Sequence, residues 1–349
     1  MPRQRDGCKT LPSLFCIRMP SILLKSVQWA VAFGLLVAVA GVAQSPPLVA
    51  DKEIPLPNVE GRIDHLSVDV KGQRLFVSAL GNGTVEVIDL RSGRRLHEIH
   101  GLEEPQGVLY EPESHRLFVA CGGDGTVRAY SGKTYALLKT ASLGDDADNV
   151  RWDAQKREVI VGYGSGGLAS FTVDLKQTGN LELPSHPESF RMEQQGTRLY
   201  VNLPKSHSIA VVDRSRDAVV DMWRQSTAAD NFPMALDEED QRLFVGFRSP
   251  ARLLVLNAAD GMTVAQMGTA GDTDDLFYDS EAQRVYVIGG AGFVDVYQQA
   301  DADHYERIDG LSTAPGARTG LLVPELHRLY VAAPKRGEDP ARVLVYRTE

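Results

Sequence analysis

Polar residues recur at one fixed place along this 349-residue sequence. Nine and ten residues ahead of a repeated Arg-Leu-Phe-Val phrase stand Asp64 with His65, Gln106 with Gly107, Asp148 with Asn149, and Glu188 with Ser189. Phe232 with Pro233, Asp274 with Asp275, and Arg318 with Thr319 complete the set, and Asp230 and Asn231 precede the fifth pair. Carboxylates gathered at one place repel each other unless they are solvated, paired with Arg62, Arg248 or Arg318, or bridged by a cation. The expected ligand-binding residues are therefore Asp64, His65, Gln106, Asp148, Asn149, Glu188, Asn231, Asp274, Asp275 and Arg318. Asp64, Glu188 and Asp274 are the candidate ligands of a divalent metal, and His65 and Glu188 the candidate catalytic acid or base. The competing reading is architectural: Asp, Asn and Gly at these positions make turns and satisfy strand-end backbone groups.

Other reactive residue types carry weaker expectations. His186 flanks the same positions and could act as acid, base or metal ligand. His207, in "PKSHS", is expected to be solvated, and His97, His100, His115, His304 and His327 structural or exposed. Cys121 follows an apolar run and reads as a small buried residue. The sequence has no Gly-x-Ser-x-Gly, Walker, His-Glu-x-x-His or Cys-x-x-Cys-His haem-attachment motif. No cofactor is identified beyond the divalent metal. The close glycines of "GNGTVEV" and "GGDGTVRA" lie between strand-like runs, whereas a phosphate cradle would need a helix after it.

The elements that position these residues come from a repeat. Its core phrase begins at Arg74, Arg116, Glu158, Arg198, Arg242, Arg284 and Arg328, with spacings of 42, 42, 40, 44, 42 and 44. Five residues before it stands an acid in six copies: Asp69, Glu111, Asp153, Glu193, Asp237 and Asp279; the seventh has Val323. The apolar runs are short, β-branched and aromatic-rich, bounded by Gly, Asp and Asn, and no stretch holds a helical period. Four strands in about 42 residues make one propeller blade. An all-β, seven-bladed β-propeller is expected. The seventh copy lacks its fourth strand, so the segment around Lys52–Asp64 must supply it and close the ring, removing an open sheet edge. The channel then runs past the innermost strands, with the polar pairs around one mouth.

Residues 1–43 read differently. Arg3, Arg5, Lys9, Arg18 and Lys25 against Asp6 precede an uncharged apolar stretch, Trp29 to Ala43, in the order of a secretory signal. Fifteen such residues would span only about 22 Å of a ~30 Å hydrocarbon core. A cleaved leader is expected, with Met19 an alternative start, leaving residues 44–349 as one propeller domain without a stable membrane anchor. Cleavage takes the formal net charge from −9 to −13, which disfavours nucleic acid. It also removes Cys8 and Cys16, so no internal disulfide can form.

The phrase "RLFVSALGNGTVEVIDLRSG" resembles the repeat of YVTN-type seven-bladed propellers, a bacterial group that includes YncE-like periplasmic proteins. The likeness extends over residues 48–349, although Ser78, Ala120 and Gly246 replace the motif's Thr. It implies a periplasmic or secreted protein, often with a binding role, and no single reaction. Two functions follow. One is a non-catalytic binding or scaffold propeller, expected to be a monomer, that recognises a small ligand or protein partner at the channel-mouth face. The other is a propeller enzyme (a lyase, lactone hydrolase or redox-associated protein) working through rim acids and His, with or without a metal.

Overall fold

The computed structural model describes residues 46–349. The leader assigned to residues 1–43, the alternative start at Met19, Cys8 and Cys16 lie outside the described residues. Residues 46–349 form one compact unit.

Seven four-stranded antiparallel sheets make up this unit. The innermost strands are Leu66–Asp69, Pro105–Glu111, Ala147–Asp153, Ser189–Met192, Ala229–Asp237, Thr273–Asp279 and Thr319–Val323. Each packs beside the next, and the seventh returns to the first. Among the described residues, helical backbone is limited to three single turns, Leu80–Asn82, Pro204–Ser206 and Pro324–Leu326.

Burial explains why the repeated phrase is apolar on both faces. Each second strand lies between two neighbouring sheets, so Phe76, Val77, Phe118, Val119, Phe244 and Val245 all have no accessible surface. Seven apolar clusters result, one at each blade junction, and together they run around the ring. Phe76 of the first blade stacks on Tyr110 of the second, for example, with ring centroids 5.4 Å apart. The outermost strands, such as Leu137–Ser142, are largely exposed.

In five of the six copies that carry it, the recurrent acid caps the turn that follows. Asp69 accepts from the Gly72 amide at 2.8 Å, and Asp279 from those of Glu281 and Ala282 at 3.1 Å each. Asp153 does the same for Gln155 and Lys156. The turn thereby satisfies backbone N–H groups that the ladder leaves over.

Closure comes from the strand Leu48–Pro55, which pairs with Arg342–Thr348 in a register that sets Leu48 opposite Thr348 and Ile54 opposite Val343. Strand pairing holds the ring shut, without a covalent link. Cys121 is a free, fully buried thiol, and burial pushes it up to about 11, as an inert core residue requires.

Candidate functional site

The polar pairs gather at one mouth of the channel because they occupy the same register in every blade, just as the chain enters the innermost strand. Close approach there constrains the backbone. A Cβ at Gly107 would lie 2.2 Å from the Asp148 carbonyl oxygen, so only glycine lets the second and third blades meet.

One side of the mouth is charge-compensated. Arg62 bonds Asp64 at 2.7 Å and lies 4.0 Å from Asp274. Arg248 bonds Asp274 at 2.6 Å, with its guanidinium carbon 3.4 Å from the centre of the Phe232 ring. Arg318 grips both oxygens of Asp272, at 3.0 and 2.9 Å. Asp275 accepts from the Gly320 amide at 2.9 Å and faces His65 Nδ1 at 3.4 Å. Burial pushes Asp274 up to about 7, against the pull of Arg248, and raises buried Asp64 too, against His65 and Arg62.

His65 sits at the centre of this side. Burial opposes its charge, but Asp275, Asp64 and Asp148 outweigh burial and push it up to about 10. The Asn149 amide nitrogen, 3.1 Å from His65 Nε2 and held by the Glu188 carbonyl at 2.5 Å, would suit a neutral ring. One neutral hydrogen bond is worth about 1 kcal/mol. That is less than the field of three carboxylates, which favours the charged ring, with Asp64 3.7 Å from Nε2. The Asn149 Oδ1 is buried without a partner.

On the other side, among the described residues, neither Asp148 nor Glu188 has an arginine or lysine within ion-pair distance. Asp148, His186 and Glu188 each bring one donor atom to a common place, all within 4.8 Å of one another. His186 Nδ1 faces the Gly164 carbonyl at 2.6 Å, which presents Nε2 to Asp148 Oδ2 at 3.4 Å. Anchoring one ring nitrogen on a carbonyl while the other faces the site is how ligating histidines are held. Burial, then Asp148 and Asp274, push Glu188 up to about 8. His186 rises to about 9 because Asp148 outweighs its burial. The cluster thus keeps a proton that a cation could replace. A cavity of about 330 Å³ opens beside it, lined in part by His186, Glu188, Lys205, Asp230, Phe232 and Arg248.

The ten ligand-binding candidates therefore part company. Asp64, Asp274 and Arg318 stand in ion pairs, and His65 and Asp275 face each other. Of the three metal candidates, Asp64 and Asp274 lie on the arginine-rich side, and Glu188 meets Asp148 and His186 instead. Of the two catalytic candidates, His65 lies among carboxylates on one side and Glu188 in the cluster on the other. Gln106 donates to Asp146 at 3.0 Å. Asn231 is 1% exposed and donates to Asn202 Oδ1 at 2.8 Å and the Ser208 carbonyl at 3.0 Å, which places it within the wall. His207, expected to be solvated, is exposed at the edge of the cavity. Sequence reasoning did not single out Asp272, nor Arg151 and Arg191 on the innermost strands. The two arginines share a register position with Leu109 and Phe277, two residues past the His65 position, and a charge there was legible.

No family model matches the sequence, and no curated protein matches it either. Solved structures do. The chain is similar to a structure titled Kuenenia stuttgartiensis Hydrazine Synthase, with a TM-score of 0.72 at 14% identity over 83% of this chain and 97% of that one. It is equally similar to a chain in a structure titled Crystal Structure of Mitotic Checkpoint Complex, with a TM-score of 0.72 at 14% identity over 95% and 98%. At that identity the likeness shows the fold alone.

Proposed function

We propose that this chain is an exported, non-catalytic binding propeller of the YVTN/YncE-like kind, which holds a small polar ligand at its channel mouth around a divalent cation. Asp148, His186 and Glu188 would seat the cation, and the neighbouring cavity would admit the ligand. The observation that carries this reading is the convergence of those three donors, with no arginine paired to Asp148 or Glu188 among the described residues. One imidazole and two carboxylates suit a first-row transition ion better than calcium, which prefers an all-oxygen shell. Three protein donors leave coordination positions for oxygen atoms of a ligand. Export rests on the basic-then-apolar order of residues 1–43.

Elemental analysis of the purified chain, with thermal melts in added Zn²⁺, Mn²⁺ and Ca²⁺, tests the reading. A retained stoichiometric ion, or a melt raised by Zn²⁺ or Mn²⁺ and unmoved in His186→Gln, is expected. No retained metal and no shift with any ion would reject it. One observation favours the catalytic alternative: Glu188, pushed up to about 8, could deliver a proton near neutral pH. That alternative requires turnover of some lactone or other small substrate that Glu188→Gln abolishes.

A further inference from the structure

Deeper in the channel the charge changes sign. Arg151 and Arg191 stand at the same register on adjacent innermost strands, Ala147–Asp153 and Ser189–Met192, and both are partly buried. Both line one cavity of about 410 Å³. Arg191 also borders a second cavity, of about 420 Å³. Among the described residues, neither guanidinium has a carboxylate oxygen within 4.0 Å. Their bonds go only to the carbonyl of the residue before each, Val150 at 2.9 Å and Phe190 at 3.3 Å.

The acids around them are committed elsewhere. Asp153 bonds Arg214 at 2.7 Å. Glu193 accepts from the Arg198 amide at 3.0 Å and the Tyr200 hydroxyl at 3.1 Å. Glu238 accepts from the amides of Gln194, Gln195 and Gly196. Asp275, whose field reaches both arginines, is shared with His65 and the Gly320 amide, and Asp148, whose field reaches Arg151, faces His186. Burial and then Arg151 lower Arg191 to about 9, against Asp275, and burial lowers Arg151 as well, against Asp275 and Asp148.

Two forked guanidinium groups facing one cavity are suited to bidentate contact with an oxyanion. The geometry points to an anion-binding site inside the channel, in which Arg151 and Arg191 together hold the carboxylate or phosphate group of a small ligand. Arg151 lies three residues past Asp148 on the same strand, and the site needs no cation in the mouth cluster.

Isothermal titration of the full-length chain with sulfate, phosphate and malonate, at constant ionic strength set by chloride, tests it. Saturable binding of at least one oxyanion is expected. Arg191→Gln should weaken it roughly tenfold or more, as loss of a charged hydrogen-bond pair implies, and Arg191→Lys by less. Preference for phosphate over malonate would assign a phosphoryl group, and the reverse a carboxylate. Should Arg191→Gln fail to fold, Arg151→Gln serves in its place. Absence of saturable binding in the wild type, or equal affinity in the folded Gln variants, would overturn the proposal.

Discussion

Replacing Glu188 by Gln should stabilise the metal-free protein in alkali and leave it unchanged in acid. Burial with Asp148 and Asp274 nearby moves this carboxyl from the ordinary 4.5 to about 8. From about pH 4.5 upward the unfolded chain releases a proton that the fold retains, so stability declines until about pH 8 and is level beyond. At about 1.4 kcal/mol for each tenfold change in proton affinity, the full displacement is worth roughly 4–5 kcal/mol. Glu188 keeps an accessible edge onto the mouth cavity, and screening there leaves roughly half, about 2 kcal/mol. In a domain of this size that is a few degrees of melting temperature. The assay is thermal unfolding of chelator-treated wild type and Glu188→Gln at about pH 5 and about pH 9, comparing the two proteins at each pH so that other titrations cancel. A variant no more stable than wild type near pH 9, or equally favoured near pH 5, would refute the assignment of an uncompensated proton to this side chain.

Three further outcomes follow from the same geometry. Arg214→Met should cost about 3–5 kcal/mol in urea unfolding, because it strands buried Asp153 without its partner at 2.7 Å; a cost below about 1 kcal/mol would mean the pair is dispensable. Deleting Leu48–Pro55 uncovers the edge of Arg342–Thr348, so light scattering should show concentration-dependent association, and a monodisperse protein with an unaltered melt would contradict closure by this strand. Gly107→Ala sets a methyl 2.2 Å from the Asp148 carbonyl; about 1–3 kcal/mol of lost stability is expected from calorimetry, with weaker Zn²⁺ binding because Asp148 moves, and a neutral effect would show that the blades can separate there.

Much of the architecture was legible because a repeat announces itself. A blade cannot bury its own faces, so each copy must carry the same apolar phrase, and the recurring phrases around Phe76, Phe118 and Phe244 all end up sandwiched between sheets. The missing fourth strand of the last copy implied that an earlier segment would replace it, and Ile54 lies opposite Val343. The acids Asp69, Asp153 and Asp279 were visible as a pattern, although their work as turn caps emerged only from the bonds they make.

The candidate site divides along the same line. Register along one strand is local, so the sequence by itself determined which residues enter the mouth: Asp64, His65, Asp148, Asn149, Glu188, Asp274 and Asp275 occupy equivalent places in their blades. Which of them meet is a matter of distance across the ring, as where His65 faces Asp275, 210 positions further along the chain. Only the tertiary structure decided that Arg62 and Arg248 reach Asp64 and Asp274 while Asp148 and Glu188 are left to His186. The physical reason is that charge compensation acts through space and falls off within a few ångströms, whereas strand periodicity acts along the chain.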